Sequence, residues 1–528
     1  MRKKFVVWYN RTIQNLCRLQ RRSYYGGSSM YRKINREQQT IEDFFLPFGG
    51  KLDAKNRWVK LAEITPWERI EEYYVQSMSQ ETGRGAISAR VAFGAVSLRQ
   101  SERLSDEDTV RYIQENPYVQ YYLGLHEFHM EPLFDPSMMV HFRKRFPIEF
   151  VAKVNEYICT GKWPEEMRNV DRNDDDHRDG NGGCNSEETL AEGDLPPNSG
   201  TLIMDATVAD ADIKYPTDID LLNQCREHLE TAVDLLWPHV PHDQHKYPYN
   251  TKKARQVFLN ISKSKKWTAK KLHTGIGQQL GYIDKAMERL EEMQNLVPDW
   301  EEKLPSWLRD RLLVLPKVYL QQKEMYDRGT RRCENRIVSL QQPHVRPIVR
   351  GKRPEPTEFG QKLHLSVVDG YTFIEQTCWS NFNEGKDLPQ TVENFFRRNG
   401  CYPTAVLADK LYQTRENRNY CKARGIRLSG PALGRKSKAA KEQNDAQIYQ
   451  DACNRNAIEG KNGTAKRRYG LDRIMSKLDE TSKTEAGFAI LMMNAWKRVY
   501  RELLRSFLHF LLSGEDLLPQ LTYFPVFQ

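Results

Sequence analysis

Arg455-Asn456-Ala457-Ile458-Glu459-Gly460-Lys461-Asn462-Gly463-Thr464-Ala465-Lys466 is the stretch on which the reading of this chain turns. Taken as a helix at ~100° per residue, Arg455, Glu459, Asn462 and Lys466 fall within about 60° of one another. One stripe then carries a carboxylate flanked by two cations and an amide. A core-facing stripe is apolar, and a solvated helix usually scatters its charges. Gly460 and Gly463 oppose the helix by roughly 1 kcal/mol each against Ala, yet they let another backbone come close. The stripe has the makeup of a surface that holds a metal ion beside a phosphate.

Two more carboxylates stand in suggestive places. Asp205 closes the run Thr201-Leu202-Ile203-Met204, and Asp409 follows Ala405-Val406-Leu407-Ala408. Both runs are short, apolar and bounded by turn residues, which predicts two buried strands, each ending on an Asp. Asp is depleted in strands and costly to bury unpaired, so each calls for a partner, and a divalent cation is a good one. Magnesium takes oxygen ligands, and sites acting on phosphates supply one or a few carboxylates. Two such ions about 4 Å apart activate the attacking oxygen and stabilise the leaving one in phosphoryl transfer. An Asp that simply caps the following loop or helix fits the same sequence, and both readings stay open here.

The order Asp205, Asp409, Glu459, with Arg455 four residues before the Glu and Lys466 seven after it, resembles the DDE transposases of bacterial insertion sequences. It is most similar to the large InsH-like group with a ribonuclease-H-type catalytic domain. The resemblance extends over Asp205-Ala206-Thr207-Val208-Ala209, Tyr215-Pro216-Thr217-Asp218, His344-Val345-Arg346-Pro347-Ile348, Leu363-His364-Leu365-Ser366-Val367-Val368-Asp369-Gly370, Ala408-Asp409-Lys410 and Leu428-Ser429-Gly430-Pro431. These stretches run from about residue 201 to 470. One departure is visible: the family often has Tyr three residues before the Arg, where this chain has Ala452. The Tyr is not a metal ligand in the family, so the departure touches DNA positioning rather than chemistry.

Composition sets the frame. A chain of 528 residues suggests two to four domains. Its 39% hydrophobic fraction fits long exposed helices and a linker. Lys plus Arg outnumber Asp plus Glu by 80 − 70 = 10. The distribution matters more: residues 1 to 36 hold ten Lys or Arg and no acid, interleaved with aromatics. Such an arm suits a polyphosphate partner, although a solvated basic tail has the same composition. The nine cysteines form no Cys-x-x-Cys pair and no zinc-spaced cluster, which argues against a disulfide framework and structural zinc. The apolar N-terminal run is broken by Tyr9, Asn10 and Arg11, too early for a secretory segment. The apolar stretch from Ala486 to Leu512 is interrupted by Lys497, Arg498, Arg501, Glu502 and Arg505, so no membrane span is expected. The expected location is the cytoplasm.

The pattern predicts an α/β protein with a large helical insertion and a helical domain ahead of the sheet but leaves the sheet order open; the resemblance implies that the sheet is a ribonuclease-H-like mixed sheet and that the helical domain binds DNA. The expected divisions are a basic N-terminal arm (1–40), the helical domain (41–164), and an acidic, Gly- and Pro-containing disordered linker (165–200). The catalytic domain follows (201–216 and 336–480), interrupted by the insertion (217–335), and then a C-terminal helix and tail (481–528). A structureless loop as long as the insertion is implausible in a compact domain. Its cluster of Lys263, Lys265, Lys266, Lys270 and Lys271 around Trp267 suits a DNA backbone and a solvated face about equally. Strands are expected at Lys362 to Val368, Tyr371 to Thr377 and Ile426 to Ser429, and helices at Leu388 to Arg398 and Thr414 to Arg424. In the helical domain Ser105 is expected to cap a helix, and Asp135-Pro136-Ser137 introduces Met138 to Phe146. That segment carries Arg143, Lys144 and Arg145 at its end, as a recognition helix would, or as an ordinary helix would to complement its dipole.

The resemblance implies a transposase. It would bind the element's ends, cleave them by magnesium-dependent hydrolysis (manganese substituting), and join the freed 3′ ends to target DNA. Asp205, Asp409 and Glu459 would be the catalytic metal ligands. Arg455 and Lys466 would hold phosphates or terminal bases, and Arg143, Lys144 and Arg145 would contact the ends. Lys410, beside Asp409, is either a further DNA contact or an ordinary surface lysine. The partner is double-stranded DNA, with a homo-oligomer assembling on it. Two rivals are a catalytically silent DNA-binding regulator derived from a transposase and a stand-alone structure-specific nuclease. The three acids count against the first, and the basic arm and helical domain against the second.

Overall fold

The computed structural model describes residues 41–46, 49–78, 85–164, 196–241, 250–264, 266, 268–349, 357–431 and 438–513. The basic arm, most of the acidic linker, and Lys265 and Trp267 of the lysine cluster lie outside them.

Among the described residues seven α-helices precede the sheet: α1 (Arg57–Ile64), α2 (Trp67–Gln76), α3 (Ala89–Glu102), α4 (Asp106–Glu115), α5 (Pro117–Tyr122), α6 (Met138–Arg145) and α7 (Ile148–Thr160). Ser105 caps α4 as expected, its side chain accepting from the Asp108 N–H. α3 is buried from Ala89 through Gln100 apart from Arg90, so it runs through the core rather than along its surface.

β1 (Thr201–Ala211) is an eleven-residue strand rich in β-branched residues. Asp205 therefore lies in the middle of a strand and not at its end, which corrects the expectation above. The charge ends the apolar run, but Ala206, Thr207, Val208 and Ala209 are all buried and carry the strand on.

The insertion follows at once as α8 (Asp218–Leu236), α9 (Thr251–Ser262), α10 (Ala269–Leu296) and α11 (Ser306–Asp327). It closes a separate core around Leu222, Leu229, Ile283, Leu290, Leu308 and Leu315. Its two ends are tied together. Asp218 pairs with Arg336 and accepts from Gln322 Nε2 at 2.8 Å, and Gln342 Nε2 donates to the Asp212 carbonyl at 2.9 Å.

The sheet resumes with β2 (Arg346–Val349), β3 (Thr357–Val368) and β4 (Tyr371–Cys378). β3 lies antiparallel to β1, with Asp205 opposite Leu365, and its other edge carries β2 and β4. The β3–β4 turn is Asp369-Gly370, both at positive φ (50° and 74°), the pair that a two-residue hairpin favours. Next come α12 (Leu388–Asn399), β5 (Ala405–Leu407), α13 (Arg415–Ala423), β6 (Arg427–Leu428), α14 (Lys438–Tyr469), β7 (Arg473–Ile474) and α15 (Asp479–Ser513). β5 runs parallel to β1 and β6 parallel to β5, giving the order β4-β3-β1-β5-β6 across the sheet. Three antiparallel strands followed by two parallel ones is the expected mixed α/β arrangement.

The two sheet faces meet different partners. Leu363, Leu365 and Val367 pack into one cluster with the N-terminal helices, with Ile458 and Ala465 of α14, and with Phe488 through Val499 of α15. Leu202, Met204 and Phe373 pack on the other face with Leu388, Val392, Phe395 and Tyr412. α15 thus runs through the centre of the molecule: Asn494 Nδ2 donates to Asn155 Oδ1 of α7 (2.8 Å) and to the Thr372 carbonyl of β4 (2.6 Å).

Candidate active site

Two of the three acids stand near one buried side chain, since the charges of Asp205 and Asp409 both act on Tyr412. The parallel ladder sets Ile203 against Leu407. The ladder stops there: Asp205 lies two residues further along β1, and Asp409 lies two residues beyond the end of β5, where it caps the following turn. Alternation puts Asp205 on the face of Leu365 and Ile203, the face over which α14 lies, in contact with both β1 and β5. Asp205 is half-buried and Asp409 is exposed.

Asp409 also does what the plainer reading expected. Its carboxylate accepts from the Lys410 N–H and caps the short turn Lys410–Tyr412. Tyr412, fully buried, sits behind both acids: burial first, then the charges of Glu384, Asp205, Asp387 and Asp409, push its phenol up and keep it neutral. His364, also fully buried, stacks on Tyr412 with ring centroids 5.8 Å apart.

The turn that carries Asp409 is braced from residues distant in sequence. Ser429 Oγ meets the Ala408 N–H at 3.0 Å, and buried Asn417 donates to the carbonyls of Tyr412 (2.8 Å) and Gly385 (2.6 Å). Gly385 is needed for that approach, because a Cβ there would stand 2.5 Å from the Leu411 carbonyl oxygen. Sequence reasoning quoted Ser429 only as part of a family-like stretch and missed Asn417. The signal for each was a small polar residue just after a strand or a cap, which reads as turn chemistry until the fold supplies a partner.

The third acid stands apart. Glu459 is on α14, which continues through Gly460 and Gly463, and its side chain is 58% exposed, with Oε1 3.5 Å from Arg455 Nη2. Lys466 is half-exposed on the same helix. Among the described residues no three His, Cys, Asp or Glu side chains converge closely enough to hold a metal ion. The donor set nevertheless fits a hard divalent cation, since it offers carboxylate oxygens only. The Arg455–Glu459 pair is an exposed i,i+4 contact worth about 0.3–0.5 kcal/mol, so turning Glu459 toward the strand acids costs little.

The three cations of α6 are not equivalent. Arg143 is 5% exposed and makes a two-pronged pair with Asp106 at 2.8 and 2.7 Å. Asp106 is also bound by Arg99, which reaches Glu485 of α15. Arg143 is thus a strut inside the helical layer. Arg145 donates to the Tyr74 hydroxyl at 2.7 Å and lies over its ring, and Lys144 is exposed.

With the fold and acids placed, comparison with known proteins defines the class. The family model described as "Transposase DDE domain" matches residues 406–495, the segment holding Asp409 and Glu459. The model described as "Transposase domain (DUF772)" matches residues 47–145, the helices ahead of the sheet. These matches show a transposase DDE domain over residues 406–495 and a transposase domain over residues 47–145, and the mixed α/β fold is consistent with a ribonuclease-H-like DDE domain preceded by a helical region. It is similar to the "Uncharacterized protein ORF8 in nfe locus" of Rhizobium meliloti, with 35% identity over 102 residues, 19% of this chain and 49% of the relative. The chain thus spans about half the length of that curated relative. No solved structure matches. No helix among the described residues is long and apolar enough to cross a membrane.

Proposed function

We propose that the chain cleaves the ends of an insertion sequence and joins the resulting 3′ ends to target DNA, with Asp205, Asp409 and Glu459 as ligands of divalent ions, magnesium or manganese. The observation that supports this reading is the parallel pairing of β1 with β5, the two strands that lead to Asp205 and Asp409, with the helix of Glu459 packed against both. The ions, when bound, supply an activated oxygen nucleophile and charge stabilisation at the leaving oxygen.

The chain's own groups do the rest. Arg455, released from Glu459 when that carboxylate turns inward, and Lys466 on the same stripe neutralise the phosphates that flank the scissile bond. The brace of Ser429 and Asn417 fixes Asp409, and Tyr412 and His364 fill the space behind both acids and exclude water. Lys144, with Arg145 beside it, contacts DNA from the helical layer, and several copies assemble on the paired ends.

The test is strand cleavage of end-bearing DNA in magnesium and in manganese. Asp205→Ala, Asp409→Ala and Glu459→Ala should each abolish cleavage while end binding persists. Undiminished cleavage by any of the three removes that residue from the site. End binding without cleavage by the unaltered protein favours the silent-regulator reading.

A further inference from the structure

Away from the acids, the end of α7, the start of β4 and the last third of α15 enclose an open cleft of about 230 Å³. Gly161 and Tyr371 line one side, and Arg498, Arg501 and Arg505 the other. Lys497, Arg501 and Arg505 are spaced i, i+4 and i+8, so they recur on one helix face at ~6 Å intervals.

Their partners are unequal. Arg498 is used within the fold: it donates to the Ile158 carbonyl at 2.7 Å and pairs with Glu502 at 3.1 Å. That pair removes Glu502 as a partner for the others. Lys497 is anchored, its Nζ donating to the Asp369 carbonyl at 2.6 Å and standing 4.1 Å from the Tyr371 ring centroid. Arg501 and Arg505 are exposed and form no ion pair among the described residues. Lys461, two residues beyond Glu459 on α14, is half-buried close by. Burial first, then the charges of Lys461 and Arg501, pull the Lys497 ammonium down to about 8, and Asp369 offsets only part of this. Lys461 and Arg501 therefore act on Lys497 and Arg505 follows one turn further on, with two carboxylates nearby, Asp369 and the Glu502 that Arg498 holds.

Lys461 follows Glu459 by two residues but stands about 200° round α14 from it, so the row lies on the other side of that helix from the Glu459 stripe. Asp205 is level with Leu365, and the Asp369-Gly370 turn that Lys497 touches lies four residues further along β3, ~13 Å away. An arrangement of cations at regular spacing, anchored at one end on the β3–β4 turn ~13 Å from the level of Asp205, suits a phosphate backbone that continues past the scissile bond.

We propose that Lys461, Lys497, Arg501 and Arg505 form a track for the backbone of duplex DNA on the far side of the cleavage point. The proposal rests on the catalytic reading above and adds to it a surface outside both matched segments, apart from Lys461. It requires no base contacts, so the track binds without regard to sequence.

The test uses the full chain carrying Arg501→Ala and Arg505→Ala together, both exposed and outside the catalytic set. Binding to a short random-sequence duplex is titrated over a range of salt concentrations, and cleavage of end-bearing DNA by the unaltered protein is run in parallel. Loss of two phosphate contacts should flatten the slope of log K against log salt by ~1.8, with an unchanged thermal unfolding midpoint. A flank-bearing end duplex and a separate target duplex, compared in the same way, tell which DNA the track holds, and flattening on either one supports it. An unchanged slope and affinity on all the duplexes, with cleavage intact, overturns the track alone. A flattened slope without cleavage by the unaltered protein keeps the track and sinks the catalytic reading.

Discussion

The helices before the sheet and the helices inserted after its first strand bury their apolar faces in different places. The inserted helices close on themselves around Leu222, Leu290 and Leu312, and their ends meet at Asp218–Arg336 and Asp212–Gln342. Among the described residues the N-terminal helices share their core with the sheet and α15. Phe93, Phe142, Phe146 and Val154 share one cluster with Leu363 and Leu365 of the sheet and with Phe488 and Trp496 of α15. A region that carries its own core can be acquired or lost as a unit. One that supplies half of another region's core is part of that region's stability, whatever else it does. By this measure the helices ahead of the sheet are a layer of the catalytic fold.

The largest expected effect comes from cutting each region away. Replacing residues 217 to 336 with a short Gly-Ser linker should leave a soluble protein with one cooperative unfolding transition, because the ends it joins already lie together. Starting the chain at residue 165 should give insoluble or unfolded protein, because the sheet face of Leu363, Leu365 and Val367 would be stripped. If the second truncation folds and the first does not, the comparison is inverted.

The buried ion networks make the same contrast on a smaller scale. Arg398, 4% exposed, binds Glu375 of β4 at 2.7 Å and Glu156 of α7 at 3.0 Å, so it ties sheet to helical layer. Burial pushes the Glu375 carboxyl up, but Arg398, Ser366 and Asn394 outweigh it and hold the group ionised below its ordinary range. Arg226, fully buried, serves Glu230 at 2.5 Å and Asn223 at 2.8 Å, all on α8. Removing one partner of such a network costs about 3–5 kcal/mol. Arg398→Ala should lower the midpoint of the whole molecule. Arg226→Ala should open only the insertion, seen as faster amide exchange there while the sheet stays protected.

Acid should loosen both regions by a smaller amount. Burial first pulls His344, packed on Trp379, down to about 4, and it does the same to His228, packed on Trp307 in the insertion. Each folded-state value lies below the unfolded value of about 6.5. The unfolded chain therefore takes up protons first, and stability is lost as pH falls from about 6.5 to about 4. The loss is at most about 2 kcal/mol for each group after solvent screening. His344→Gln should flatten the pH dependence of the global midpoint, and His228→Gln only that of the insertion's exchange rates. Equal effects of both on the global midpoint would show that the insertion is coupled to the sheet.

The sequence revealed what is local. Strand runs, the Ser105 cap, the helix after Thr414 and the helix of Glu459 follow from spacing and turn chemistry, and each is present. The order of the elements and the insertion were readable from the pattern, but the order of strands in the sheet was not, and its ribonuclease-H-like arrangement was expected from the family resemblance alone. Hidden were features whose partners are far apart in the chain. Arg398 finds Glu156 across 242 residues, and Asn494 finds Asn155 across 339. Asp205 was placed at a strand end because the apolar run stops there, whereas the pairing of β1 with β3 extends to Asp210. Arg143 read as a free cation at a helix end, and only its burial against Asp106 shows that it is spent.

The smallest expected effect tests whether the helical layer, although part of the catalytic core, also touches DNA. Of the α6 cations, Arg143 is committed to Asp106, Arg145 is partly committed to Tyr74, and Lys144 points to solvent. Lys144→Ala should leave the unfolding midpoint within about 0.5 kcal/mol of the original. It should flatten the salt slope of end binding by ~0.9 if one phosphate contact is lost. Arg143→Ala should do the reverse, costing several times more stability because it leaves Asp106 with Arg99 alone, while the slope per folded molecule stays the same. A gel-shift titration against salt, paired with thermal unfolding of the two variants, separates the contributions. An unchanged slope for Lys144→Ala would mean that this surface of the layer does not meet the backbone, and that its place in the molecule is explained by the sheet it covers.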